Sequence, residues 1–543
     1  MNYTIVKPQL DEYYLDKFNH RLPMVLLSMQ KCTSSQKKQL FSPVQTHSLP
    51  KIFYEAVDLI KKAITLKQKI IICGDFDADG ICSTTILFDI ITKMGGDVGY
   101  YIPDRIKEGY GIKTETVITA QEKGYSVFIL VDNGISAFEA IAQIQKLHHQ
   151  VIILDHHVQS KDINIDCLIH PDQFDEYFKN QCAAGLSYGF AWASGLVNHF
   201  HLQLAACATI GDMMPLWGYN RQLVIEGLHS MNQTLIKPFA ALLDKTNEII
   251  DEQTVAFQIV PKLNVVGRLA DLANVNQVVR FLLSEDFTSI ESVAKTIKQL
   301  NQKRRQMTLE MVALSRKQLS NRAFEIITHP DFHEGLVGIA AGQLTRELGK
   351  PVLVLSEKQE SFKGSARSES IDLHAFLSQF EDQLLHFGGH AQAAGLEISK
   401  TKLIHFEDAV QSKMALLEMD ELSPVKTVYH IDLDLISKAA ILEFEKMAPF
   451  GMGFEKPLLY FSPIKVIKTA HIESKNIGKW IFEVNGEMME IIDFQGLNDD
   501  NRNASWLKII GILTINSFNG QQKASILAEK VIKIDIPSDG NLV

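Results

Sequence analysis

Over residues 69–154, short β-branched apolar runs alternate with helix-length stretches. KIIIC (69–73), VFILV (127–131) and VIIL (151–154) are uninterrupted apolar segments, each leading into an Asp-bearing turn. A strand buried on both faces has no solvent side to mark with polar residues, so this alternation is the pattern of βαβ units and a parallel sheet. Before it, the polar stretch running from QKCTSSQKKQL to HSLP predicts a loosely ordered arm.

Further along, Ile290, Val293, Ile297, Leu300, Met307, Met311 and Leu314 recur three and four apart and predict one long helix. FEIITHP, GLVGIAAGQLTREL and PVLVLSE then read as strand, helix and strand, opening a second α/β domain near Phe324. From Pro424 onward the short alternating runs KWIFEV, EMMEIIDF, WLKIIGILTI and KASILAEKVIKI predict an antiparallel β-barrel. The expected layout is an arm over 1–45, a parallel-sheet domain over 46–235, a helical connector over 236–320, a second α/β domain over 321–423 and a barrel over 424–543.

Composition narrows this picture by exclusion. A chain of 543 residues exceeds one hydrophobic core, and 46% hydrophobic with 22% charged residues rules out wholesale disorder, collagen-like and coiled-coil architectures. The six cysteines form no C-x-x-C pair, which excludes a zinc ribbon and a disulfide framework. The opening MNYTIVKPQLDEYYLDK lacks the basic-then-apolar pattern of a signal peptide, and no run nears the ~18 apolar residues of a membrane span. A cytoplasmic protein without a membrane partner is expected. The net charge of −10 opposes indiscriminate polyanion binding and leaves room only for a local basic groove.

Ligands of open parallel sheets sit at the carboxyl ends of the strands, and here those ends read GDFDADG, VDNG and LDHH. They supply Asp75, Asp77, Asp79, Asp132, Asp155, His156 and His157, and CATIGDMMPL adds Asp212. Three carboxylates within five residues repel one another unless a cation neutralises them. A calcium loop would need Glu at its twelfth position, where Ile86 stands, and an aspartyl-phosphate phosphatase would leave the His pair unexplained. A solvated acidic turn is the remaining bland alternative. In the third segment one imidazole can ligate a metal and the next can face a phosphate, with Asp155 orienting the pair. Four carboxylates with one or two His suit a pair of hard ions, Mn²⁺ or Mg²⁺, rather than zinc. His148 and His149, on a polar turn, are expected to be structural. Arg304 falls in the apolar seam of the long helix, where it either meets a phosphate or an ion pair or snorkels out.

GDFDADG, IPDRIKEGYG, VDNGIS, LDHH, CAAGLSYG and ATIGDMMPL, in this order, resemble the DHH phosphoesterase superfamily, most closely its single-strand-specific 5′ to 3′ exonucleases. KLNVVGRLADLANV, SARS and the glycine-rich FGGHAQAAG extend the likeness through a DHH-associated domain, so that it covers residues 70–400. APFGMGFEKPLLYF resembles the segment leading into the oligonucleotide-binding (OB-like) barrel of that branch. The resemblance implies one metal held by Asp79, Asp132, His156 and Asp212, and a second held by Asp77 and the bridging Asp132 with Asp75 close by. It implies a phosphate contact for His157, and substrate contacts for Arg105, Asn264, Arg268, Arg304, Arg367, Gly388, Gly389 and His390. His170, Lys262 and Cys73 depart from the pattern, which usually has Asn, Arg and, in many members, a metal-reaching His there.

The implied function is a metal-dependent exonuclease that releases 5′ mononucleotides from single-stranded DNA in repair and recombination. The expected protein is a monomer, with a single-strand-binding protein and a helicase as candidate partners. A phosphodiesterase for short oligoribonucleotides or cyclic dinucleotides shares the catalytic motifs, but the barrel and long helix favour a polymer. A pyrophosphatase would need no barrel, and a non-catalytic scaffold would not need competent ligands. The barrel region carries 13 basic against 16 acidic residues over 421–543, so any grip on bases falls to aromatics such as Trp480, Phe482, Phe494, Trp506 and Phe518, residues that on strands are more often core.

Overall fold

The computed structural model describes residues 2–42, 47–159, 161–244, 249–417, 425–473, 477–494, 496–497, 501–518 and 521–535. The chain forms two compact units, one of Thr46–Pro424 and one that joins Met1–Gln45 to Val425–Val543.

The larger unit opens with a five-stranded parallel sheet in the order Val98–Tyr101, Lys69–Cys73, Tyr125–Val131, Gln150–Leu154, Cys167–Ile169. Ile70 and Ile72 enter one core, and Ile71 and Cys73 enter the other, which is why the run is apolar at successive positions. Each fully buried Ile contributes ~1.5–3 kcal/mol by leaving water. The edge strands carry little of this signal, because VGYY is only half buried and CLI is three residues long.

The long helix runs Phe287–Arg316, started by Asp286, whose carboxylate accepts the Ser289 amide at 2.9 Å. Ile290, Ile297, Met311 and Val312 are buried, while Asn301 and Thr308 make the middle of the seam polar. A second five-stranded sheet follows, ordered Leu384–His390, Ala393–Ser399, Ser361–Arg367, Val352–Glu357, Glu325–His329. Only its last two strands are parallel, joined by the helix Val337–Leu348.

The smaller unit is an eight-stranded sheet whose spine is the long antiparallel pair Trp506–Phe518 and Gln521–Ile534. Its pairing is mixed, with parallel neighbours at Val425–His430/Leu459–Lys465 and Glu487–Asp493/Gln521–Ile534, where an antiparallel barrel was expected. The amino-terminal segment also departs from expectation, being neither loose nor separate. Asn2–Val6 pairs in parallel with Val425–His430 as the edge strand, and helix Arg21–Ser28 buries Leu22, Leu26 and Leu27. Glu443 takes the backbone amides of Asn19 and His20 at 2.9 and 3.0 Å and the His20 ring at 2.8 Å. The polar run that suggested disorder is helix Ser34–Phe41, which buries nothing but starts with a complete capping box of Thr33 and Gln36.

Candidate metal centre and active site

Helix Ala78–Lys93 starts at the end of strand Lys69–Cys73, and the turn between them carries the acidic segment. Asp77 caps it, its Oδ1 accepting the amides of Asp79 and Gly80 at 2.9 and 3.2 Å. Gly80 is required by space, since a Cβ there would lie 2.4 Å from the Asp75 carbonyl oxygen. The Asp79 carboxylate is held from outside its own helix, its two oxygens accepting the amides of Ala183 and Ala184 at 2.7 Å each, at the positive end of helix Ala183–Ser194.

Asp132 follows strand Tyr125–Val131 with φ +58°, a left-handed conformation that Asp adopts more readily than most side chains. Next to it, Asn133 stitches the strand ends by donating from Nδ2 to the carbonyls of Cys73 and Val131 at 3.0 and 2.8 Å. His156 Nε2 then lies 3.3 Å from Asp132, 3.4 Å from Asp212 and 3.8 Å from Asp79. Oxygens of Asp75, Asp77 and Asp132 form an adjacent group within 4.8 Å of one another. Asp132 is common to both groups. His157 also brings a ring nitrogen within 4.8 Å of the donor atoms of Asp132 and His156, but its Nδ1 is at 2.8 Å from Asp155, which is wholly buried and also accepts the amides of Ile135, His156 and His157.

The electrostatics of this cluster are those of a cation site. Burial, and then the neighbouring carboxylates, push Asp79 up to about 6 and Asp212 up to about 9, and raise Asp75 and Asp132 well above the carboxylate range. Burial also drives His156 down to about 4, leaving it neutral and able to ligate. Asp155 behaves oppositely: burial raises it, but the bond and charge of His157 and the amides prevail and hold it at about 2. The Oδ1 of Asp75 is buried without a hydrogen-bond partner. Carboxylate oxygens and a neutral imidazole fit hard divalent cations, Mn²⁺ or Mg²⁺, and these groups could hold such an ion.

Partly buried cations lie beside the acids. Arg105 stacks 4.9 Å above the Phe76 ring with Asp75, Asp77 and Glu334 around it. Arg268 makes no ion pair among the described residues, and burial followed by repulsion from Arg105, Arg304 and Arg367 outweighs the attraction of Asp77 and lowers it to about 10. Such a guanidinium calls for an anion. The Nε of Arg304 is buried and unpartnered, whereas Arg367 donates to Ser365 and to the Ala366 carbonyl. The backbone of the second domain comes close here, leaving no room for a Cβ at Gly335 against the Arg268 carbonyl oxygen, 1.8 Å away.

Other expected positions serve different ends. Asn264 accepts the Ala78 amide at 2.6 Å and so ties helix Val260–Arg268 to the start of the metal-bearing helix. Gly388, Gly389 and His390 lie exposed on the outer strand Leu384–His390. Cys73 packs in the apolar core with its thiol pushed up to about 12 by burial, and so is not poised as a ligand. Lys262 donates to the Leu242 carbonyl and Asp244 rather than to a substrate, and His170 donates from Nε2 to the His157 carbonyl at 2.9 Å. His149 stacks on Phe128, as a structural residue would. In the smaller unit Trp480 and Phe482 are core, Trp506 is half-buried and Phe494 is exposed; the Phe518 side chain lies outside the described residues. Motif reading alone missed the amides of Ala183 and Ala184, the Asn133 stitch and Tyr110, whose only signal is its place between two glycines.

An acidic, His-bearing strand-end cluster on a parallel sheet, followed by a second α/β domain, defines a DHH-type phosphoesterase. Family models agree, the DHH family N-terminal domain matching residues 69–211, the DHHA1 domain 320–416 and the RecJ OB domain 429–530. The single-stranded-DNA-specific exonuclease RecJ of Bacillus subtilis is 30% identical over 97% of this chain and 70% of its own length. RecJ of Haemophilus influenzae is 28% identical over 92% of this chain and 93% of its own. The crystal structure of RecJ in complex with Mn²⁺ from Thermus thermophilus shares the fold, with a TM-score of 0.83 at 24% identity over 98% of this chain and 80% of that one. A structure of exonuclease RecJ bound to manganese matches at 29% identity with a TM-score of 0.61, over 69% of this chain and 97% of that one. The chain belongs to the RecJ family.

Proposed function

We propose that the protein is a divalent-metal-dependent exonuclease that hydrolyses single-stranded DNA from the 5′ end to mononucleotides, in DNA repair and recombination. The observation that carries this is the shared Asp132 between two acidic donor groups, set beside the partly buried guanidinium of Arg268, which makes no ion pair among the described residues. Two ions fit the donor set, one on Asp79, Asp132, His156 and Asp212, the other on Asp75, Asp77 and Asp132. When bound they supply Lewis acidity at the phosphoryl oxygens and make water a competent nucleophile near neutral pH.

The chain's own residues do the rest. Burial lowers the proton affinity of His157, but its bond to Asp155 more than offsets this, so a donating imidazole faces the phosphate as charge accumulates there. Arg105, Arg268 and Arg367 would hold the flanking phosphates, with Arg304 behind them and Gly388, Gly389 and His390 guiding the strand. Asn264 contributes by fixing the helix that carries the acids. Residues 46–235 would form the catalytic domain, 236–320 the connector, 321–423 the substrate-binding domain and 424–543 the nucleic-acid-binding unit. The same reading takes the enzyme to work as a monomer, with a helicase and a single-strand-binding protein presenting its substrate.

The test is digestion of end-labelled single strands, duplexes, short RNAs and cyclic dinucleotides in Mn²⁺ or Mg²⁺, with the products identified. Mononucleotides released from the 5′ end of single strands alone are expected. Preferential cleavage of dinucleotides would replace this reading with a small-oligonucleotide phosphodiesterase.

A further inference from the structure

The loop between strand Val98–Tyr101 and helix Thr114–Glu122 is braced to present one side chain. Asp104 accepts the amides of Ile106 and Lys107 at 2.9 and 3.1 Å, and Glu108 accepts the Asp104 amide at 2.9 Å and the Tyr101 hydroxyl at 2.5 Å. Gly109 and Gly111 follow with φ of +81° and +73°, each with open space where a Cβ would stand. Two left-handed turns flanking one residue throw its side chain across the strand ends, and that residue is Tyr110.

The Tyr110 hydroxyl donates to the Asp132 carbonyl at 3.0 Å. Asp132 holds a left-handed conformation, and its peptide is fixed by hydrogen bonds from its neighbours. Asn133 fixes it from the sheet side, and Tyr110 is its anchor on the open side. The same hydroxyl oxygen lies 3.3 and 3.4 Å from the two nitrogens of His157, with the rings 5.7 Å apart and inclined at 64°. Nearly equal distances mean that it rests against the imidazole rather than on one lone pair, and Nδ1 already belongs to Asp155. The directed bond is therefore to Asp132, and the contact with His157 is packing.

We propose that Tyr110 is a positioning residue of the hydrolytic centre. Its hydroxyl sets the backbone that presents the carboxylate shared by both donor groups, and its ring holds His157 against the Asp155 side. This rests on the roles given above to Asp132 and His157. With 46% of its surface exposed, Tyr110 contributes little to the core, so removing its hydroxyl leaves the fold standing.

The test uses the full chain with Tyr110→Phe, Tyr110→Ala and Asp132→Ala beside the unaltered protein. Binding of Mn²⁺ alone is read without DNA from the electron paramagnetic resonance signal of the free ion, and kcat and KM are read separately on a single strand. Tyr110→Phe should weaken Mn²⁺ binding about tenfold, the low end of what the loss of a ligand-orienting partner costs, and lower kcat with KM unchanged. Tyr110→Ala should lower kcat further, because His157 then loses its support. Unaltered Mn²⁺ binding in Tyr110→Phe, beside lost binding in Asp132→Ala, overturns the proposal and leaves the metal site standing. A raised KM with unchanged kcat also overturns it, by making Tyr110 a DNA contact. Unaltered binding in Asp132→Ala shows instead that the metal-site reading itself is wrong, and the proposal goes with it.

Discussion

Asp155 holds His157 by a 2.8 Å contact to Nδ1 while having no exposed surface of its own. The carboxylate thus reaches the phosphate only through the imidazole. Asp155→Asn keeps the shape and removes the charge, so turnover should fall ~10–100-fold, as for other residues that orient a catalytic group. Metal content should be unchanged, which is checked by elemental analysis of the purified variant. Loss of metal together with activity would mean that Asp155 supports His156 instead.

Asp132 lies just past a strand end, buried among other acidic and His side chains. Asp132→Ala should therefore abolish cleavage while leaving circular dichroism and solubility intact. Removing one of several repelling carboxylates should also raise the melting temperature of the metal-free protein, because burial and the neighbouring carboxylates hold Asp75, Asp79, Asp132 and Asp212 above their ordinary pKa. More than a few per cent of residual activity in Mn²⁺ would sink the shared-ligand assignment.

For Arg268 the expected change is in binding. Its partly buried guanidinium has three other arginines and Asp77 near it and no ion pair among the described residues, so a DNA phosphate is the natural further counter-charge. Arg268→Ala should weaken single-strand binding and reduce the slope of log affinity against log salt by ~0.7, the share of one neutralised phosphate. Fluorescence anisotropy of a labelled strand over a salt series measures this, and an unchanged slope would remove Arg268 from the DNA path.

How much of this was legible in the sequence follows from which interactions are local. Asp77, Asp79 and Gly80 could be read because one turn imposes both the cap and the close approach, and the buried strands because they are apolar on both faces. The partners of Asp79 could not be, because backbone amides from a helix about a hundred residues away carry no side-chain signature. Cys73 stood out by resemblance as a departure from a metal-reaching His, and strand alternation places it with Ile71 in the far core. The amino-terminal arm was misjudged for a related reason. Its polar helix was conspicuous, while the strand Asn2–Val6 has no meaning until Val425–His430 arrives to pair with it.

That pairing makes the junction at Glu443 sensitive to acid. Burial raises this carboxyl, but the amides of Asn19 and His20 and the His20 ring outweigh it and hold it below its ordinary value. A depressed folded-state pKa means that the stabilisation is present above the unfolded value of about 4.3 and is lost as pH falls through the folded one. Hydrogen exchange at the Asn19 and His20 amides should therefore accelerate below about pH 4.3 relative to the rest of the sheet. Glu443→Gln should show the faster exchange already at neutral pH; equal protection in both proteins would show that the carboxylate is not the clasp.

The discontinuous smaller unit also decides how the enzyme can be cut. A chain ending before Val425 would keep residues 1–45 without the strand that Asn2–Val6 pairs with, and would bare Leu22, Leu26 and Leu27. It should aggregate even if the catalytic centre is sound, because apolar side chains deprived of cover become association sites. Residues 46–424 alone keep both of their sheets and their own buried clusters, and should stay soluble and cleave short single strands in Mn²⁺. What the shorter protein should lose is preference for length, since an oligonucleotide-binding fold grips ~4–16 nucleotides with ~1–3 kcal/mol per stacked base. The measurement is the ratio of affinities for a twenty-nucleotide strand and a dinucleotide. A large ratio in the full chain that shrinks in 46–424 supports a polymer substrate held by the smaller unit, and equal ratios in the two proteins would place the whole grip on the arginines and glycines of the larger one.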